Sequence, residues 1–130
     1  EKPPKVSPRL KAAPRIRELL WCDFPQDAQL PEFWKKRPVI ILSHRNTLSG
    51  TVTVVPCSSS EQNDNPWAVM LQTTIDGSES WAICDKISTF AVSRLSPRKD
   101  GRKRLPEDEF NLILGRVLEW LPKLTELEFS

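Results

Sequence analysis

The chain has 130 residues, 38% of them hydrophobic and 28% charged, with 19 Lys and Arg against 17 Asp and Glu, the composition of one globular domain. Its longest apolar stretch, around Val39 to Leu42, falls far short of the roughly 20 residues that a membrane helix needs. The basic start is followed by no apolar leader core, so a soluble, unsecreted protein without a membrane partner is expected.

The net charge of +2 is a sum of unlike parts. Residues 1 to 17 carry +5 through Lys2, Lys5, Arg9, Lys11, Arg15 and Arg17 against Glu1, and residues 94 to 104 carry another +5, leaving −8 on the remainder. Two basic segments on an acidic body suit a polyanionic partner held at a local patch.

In chain order, residues 1–14 hold Pro3, Pro4, Pro8 and Pro14 among lysines and no periodic apolar pattern, which predicts a flexible, polyproline-like arm ahead of a domain over 15–130. Short runs rich in β-branched and aromatic residues follow. Leu19 to Phe24, Pro38 to Ser43, Thr51 to Pro56, Pro66 to Gln72 and Ser80 to Cys84 read as strands, with turn chemistry at Gly50 and at Asp76-Gly77. Their spacing is that of an antiparallel sheet or small barrel. Pro106 then opens a helix with Glu107, Asp108 and Glu109 at the positive end of its dipole. Phe110, Ile113, Leu114, Val117, Leu118 and Leu121 give it one apolar stripe, ended by Pro122. The stripe fits either a lid on the sheet or a dimer seam.

Three widely separated cysteines, Cys22, Cys57 and Cys84, and a single histidine, His44, supply neither a disulfide framework nor a four-ligand zinc site. Each cysteine lies in or beside an apolar run and reads as a small buried hydrophobe. No glycine-rich phosphate loop, paired His and Glu at metal spacing, or Gly-x-Ser-x-Gly elbow is present, so no cofactor is expected. What remains is metal-free chemistry by scattered polar side chains. Attack of an RNA 2′-hydroxyl on its own phosphate fits, needing a base, a cation or donors around the phosphorane, and an acid at the leaving oxygen.

The segments Trp21-Cys22-Asp23-Phe24, Lys36-Arg37-Pro38-Val39-Ile40-Ile41-Leu42-Ser43, Val54-Val55-Pro56-Cys57-Ser58-Ser59, Ile83-Cys84-Asp85-Lys86-Ile87-Ser88-Thr89 and Ser93-Arg94-Leu95 resemble, in order and spacing, the MazF/PemK toxins of bacterial toxin–antitoxin systems. The resemblance spans about residues 18 to 122. It implies a mainly β fold with a C-terminal helix, an SH3-like small antiparallel barrel. It further implies a cytoplasmic homodimer that cuts single-stranded RNA at short sequences and a cognate antitoxin whose acidic or disordered tail fills the RNA groove. Arg37 matches the arginine of the active-site loop, Ser58 a position often held by threonine, Glu32 a catalytic glutamate and Asp85 an aspartate that serves as base in some members.

The loop Leu30-Pro31-Glu32-Phe33-Trp34-Lys35-Lys36-Arg37 departs from the family's glycine-bearing Gly-x-Glu-Gln-x-Gly-x-Arg. Ile83 stands where some members place an acid-acting arginine, and Lys86 where glutamine is common, which brings in His44 as a substitute proton carrier. Trp34 is a candidate for stacking on a base, with Lys35, Lys36 and the run through Arg94, Arg98, Lys99 and Arg102 as candidates for lining the RNA path. Two rival readings stand beside the ribonuclease: a non-catalytic nucleic-acid or protein binding module on the same barrel, and a gyrase-directed, DNA-breaking toxin similar to CcdB.

Overall fold

In the computed structural model, which describes residues 1–99 and 101–124, three antiparallel strands form the centre. They are β1 (Glu18–Asp23), β2 (Lys36–Ile41) and β3 (Thr51–Ser58), with Leu19 opposite Ile40, Trp21 opposite Pro38 and Val39 opposite Pro56. Alternation sends Leu20, Cys22, Val39, Ile41, Val52 and Val54 to one buried cluster and Leu19, Ile40, Val55 and Cys57 to another. Both faces of the central strands are therefore covered. That is why they read in sequence as nearly continuous apolar runs.

Eight residues make β3 long enough to serve two neighbours. Its first half pairs with β6 (Ser88–Ala91), and its last two residues pair with β5 (Trp81–Ile83), which carries β4 (Ala68–Met70) on its other side. The outer edge of β1 is taken by β7 (Leu95–Ser96) and β8 (Lys103–Arg104), reached through a 3-10 turn at Val92–Arg94. The path β4-β5-β3-β2-β1-β7 curls into the expected small antiparallel barrel. The five predicted strands all form; β6, β7 and β8 were not predicted.

The helix α1 (Glu107–Trp120) begins at Pro106 with three acids in its first turn, as its sequence dictates. Phe110, Ile113 and Val117 pack on the cluster of Leu19, Ile40 and Val55, so the stripe is in the first place a lid. Leu118, Trp120 and Leu121 remain exposed beside it.

Residues 1–9 are exposed and carry no strand or helix, but the N-terminal segment is tied down from Arg9 onward. Leu10 enters the second core cluster, Pro14 is buried, and Arg9 forms an ion pair with Asp23 at 2.6 Å. Glu18, whose side chain is wholly buried, pairs with Arg102, whose Nη1 and Nη2 also donate to the carbonyls of Ala12 at 2.7 Å and Ala13 at 3.1 Å. One ion pair thus joins the start of the barrel, the pre-helix segment and the N-terminal segment. Residues 125–130 of the expected domain, and Asp100 within the basic run, lie outside the described residues.

Candidate active site

Arg37 stands at the start of β2, where the strand emerges from the 25–35 loop. The β2–β3 ladder ends with Val39 opposite Pro56, which leaves Arg37 and Ser58 each two residues beyond it at the same end of the two strands. Both line one cleft of about 680 Å³ together with Trp34, Lys35 and Lys36. The Arg37 guanidinium is held by donation from Nε to the Trp34 carbonyl at 3.0 Å and lies 4.2 Å from the Phe33 ring centre and 5.5 Å from that of Trp34. Burial pulls its pKa below the ordinary arginine value, but an arginine still keeps its charge. Ser58 is buried, and its Oγ accepts from the Ser60 amide at 3.2 Å, an orientation that leaves its own proton to donate elsewhere. Trp34 is 47% exposed, an open aromatic face beside the arginine.

The other catalytic candidates stand apart from that cleft. Glu32 lines a neighbouring cavity with Phe24, Phe33, Lys86 and Phe90, and its carboxylate accepts the Gln29 amide at 2.8 Å in a local turn. Asp85 follows β5, half-buried, with one carboxylate oxygen, Oδ1, buried and lacking a hydrogen-bond partner. His44 is exposed in the β2–β3 connection, beyond the opposite end of β2 from Arg37. A proton carrier at His44 would therefore sit a strand's length from Arg37.

The basic run divides. Arg94 donates to the Asp23 carbonyl at 3.2 Å and lines a second cleft with Asp23, Asp27, Lys35 and Lys36, adjoining the first. Lys99 is exposed. Arg98 and Arg102, expected along an RNA path, are instead turned into the structure: Arg98 is buried with its guanidinium 3.5 Å from Asp76, and Arg102 is bound to Glu18 and two carbonyls. Sequence composition counts both as surface charges because their partners lie far away along the chain.

Two cleft residues escaped the sequence reading. Trp21 borders it with the Lys36 ammonium 5.7 Å from its ring centre, a residue that the sequence presents only as part of a strand. Asp76 borders it from the β4–β5 connection, having been absorbed as half of a turn signal. The cysteines are buried free thiols; burial raises all three, Cys22 and Cys84 to about 12, so none is a nucleophile at neutral pH.

The class of protein is thus a small antiparallel barrel with a lid helix, opening a cleft walled by an arginine, a serine hydroxyl and an exposed tryptophan. Residues 15–121 match the model of the PemK-like, MazF-like toxin of type II toxin–antitoxin systems, and the chain belongs to that family. No curated protein matches it in sequence. Among solved structures it is similar to MazF from Deinococcus radiodurans, with TM-score 0.68 and 21% identity over 82% of this chain and 94% of that one. An endoribonuclease in complex with its cognate antitoxin from Mycobacterial species gives 0.64 and 18% over 85% and 99%. A MazE–MazF complex of Deinococcus radiodurans gives 0.60 and 18% over 82% and 93%. At such identities these structures support the fold.

Proposed function

We propose that this chain is a toxin that cuts single-stranded RNA without a metal, in the cytoplasm of a bacterium, as a homodimer restrained by a cognate antitoxin. The observation that carries the reading is the meeting of Arg37 and Ser58 in one cleft beside Trp34. The family membership and the antitoxin-bound relative support it. The 2′-oxygen attacks the adjacent phosphorus and gives its proton to a carboxylate, Glu32 or Asp85. The bond from phosphorus to the 5′-oxygen breaks and that oxygen takes up a proton, leaving a cyclic phosphate and a 5′-hydroxyl. Arg37 stabilises the charge of the phosphorane and Ser58 donates to one of its oxygens. Lys35 and Lys36 hold flanking phosphates or, in the restrained state, acidic residues of the antitoxin. The exposed Leu118, Trp120 and Leu121 support a second copy as partner for the helix.

The test is cleavage of a long mixed-sequence RNA by purified protein, with Arg37→Ala expected to lower the rate by about 10²-fold or more. An intact RNA under conditions where a control nuclease cuts it overturns the reading. A second reading, a binding module that no longer cuts, is favoured by the placement of Glu32 and Asp85 outside the cleft of Arg37 and Ser58. Under it, wild-type protein binds RNA without cutting, and Arg37→Ala changes affinity alone.

A further inference from the structure

Among the described residues, Asp76 is the one carboxylate that borders the cleft of Arg37, Ser58 and Trp34. It stands on the β4–β5 connection, whereas Arg37 and Trp34 belong to the β1–β2 side. Its position is fixed twice. Asp76 and Gly77 take φ of 52° and 79° in a tight turn closed by Ile75 and Ser78, whose amides and carbonyls exchange hydrogen bonds of 3.0 Å. Behind it the buried Arg98 guanidinium lies 3.5 Å from Oδ1. The side chain nonetheless remains 48% exposed at the cleft border, so its carboxylate keeps acceptor capacity beyond the Arg98 contact.

We infer that Asp76 is a specificity-determining residue that accepts hydrogen bonds from a guanine next to the cleaved phosphate, the base lying against Trp34. This rests on the ribonuclease reading above. An ionised carboxylate offers acceptors only. Guanine presents two adjacent donors, N1–H and the N2 amino group, on the Watson–Crick edge that single-stranded RNA leaves open. Adenine and cytosine place a ring nitrogen acceptor beside their amino group, and uracil flanks its one N–H with carbonyl oxygens, so each would set a lone pair against the second carboxylate oxygen. A carboxylate on a different element from Arg37, held by a buried cation, is suited to act as a fixed acceptor that reads a base while the phosphate is gripped elsewhere.

The experiment compares wild type and Asp76→Asn on an RNA mixture with cut ends sequenced, then on matched oligonucleotides carrying guanosine or inosine at the preferred position. Asparagine tolerates the left-handed backbone at this turn, so the variant retains the fold. Wild type is expected to favour guanosine over inosine by roughly ten-fold or more, and Asp76→Asn to cut both nearly alike. Identical preferences in the two proteins overturn the inference and leave the ribonuclease reading standing. So does loss of all cutting by Asp76→Asn, which makes the residue part of the chemistry. If wild type cuts no RNA at all, both readings fail together.

Discussion

Arg37 differs from a surface arginine in what holds it: a carbonyl on Nε and two aromatic rings fix its guanidinium at the cleft wall with little freedom to lose on binding. Lysine would keep the charge but not the fork or the planar stack on Phe33. Arg37→Lys is therefore expected to behave nearly as Arg37→Ala in single-turnover cleavage while binding RNA almost normally, and a variant retaining wild-type rate would remove the geometric argument. The thiols give a contrasting prediction. With Cys22 and Cys84 at about 12 and Cys57 also raised, all by burial first, native protein is expected to show no thiol that reacts with a colorimetric disulfide reagent at pH 8. Three should appear on denaturation; rapid labelling of the folded chain would contradict the burial.

At the scale of elements, the tie between β1, the segment before α1 and the N-terminal residues depends on Glu18 and Arg102. Burial alone pushes the Glu18 pKa up, but the Arg102 hydrogen bond, the Arg15 amide and the two positive charges outweigh it, and the net shift is downward. A carboxylate depressed on folding contributes stability that is present above its ordinary range near 4.5 and is lost as pH falls through the folded value. Arg102→Ala leaves burial unopposed by its main partner. It is expected to cost about 3 kcal/mol in urea unfolding and to move the acid transition toward neutral pH. An unchanged midpoint at pH 7 would show that the pair is not what ties these segments together. No sequence pattern reveals this pair, because its members are 84 residues apart. The central strands were legible as short β-branched apolar runs and α1 by its helical period, whereas β7 and β8 are two residues long and exist only because β1 offers them an edge. Arg37 and Ser58 were legible as a pair through matched segments, and strand register then explains their meeting. Asp76 was not, since the turn signal around it accounts for the residue without reference to the cleft.

For the whole molecule, the charge arithmetic acquires a direction once Arg98 and Arg102 are subtracted from the exposed cations. Lys35 and Lys36 stand where the two adjoining clefts meet, with Arg94 beyond them, and Arg9 bound to Asp23 on the same side of β1. A single strand gripped at Arg37 and continuing along this side would meet lysine ammonium groups that face solvent. Each phosphate contact in single-stranded RNA contributes about 0.7 to the slope of log affinity against log salt. Binding of an uncleavable 2′-O-methyl RNA, followed by anisotropy across a potassium chloride series, should thus show a slope reduced by about 1.4 in the Lys35→Ala, Lys36→Ala double variant. Arg98→Ala is expected to destabilise the fold and loosen Asp76 while leaving the slope nearly intact in the protein that remains folded, because a buried guanidinium displaces no counterion from the strand. Equal slopes for wild type and the double lysine variant would place the RNA elsewhere on the barrel. A reduced slope with Arg98→Ala alone would return that arginine to the path.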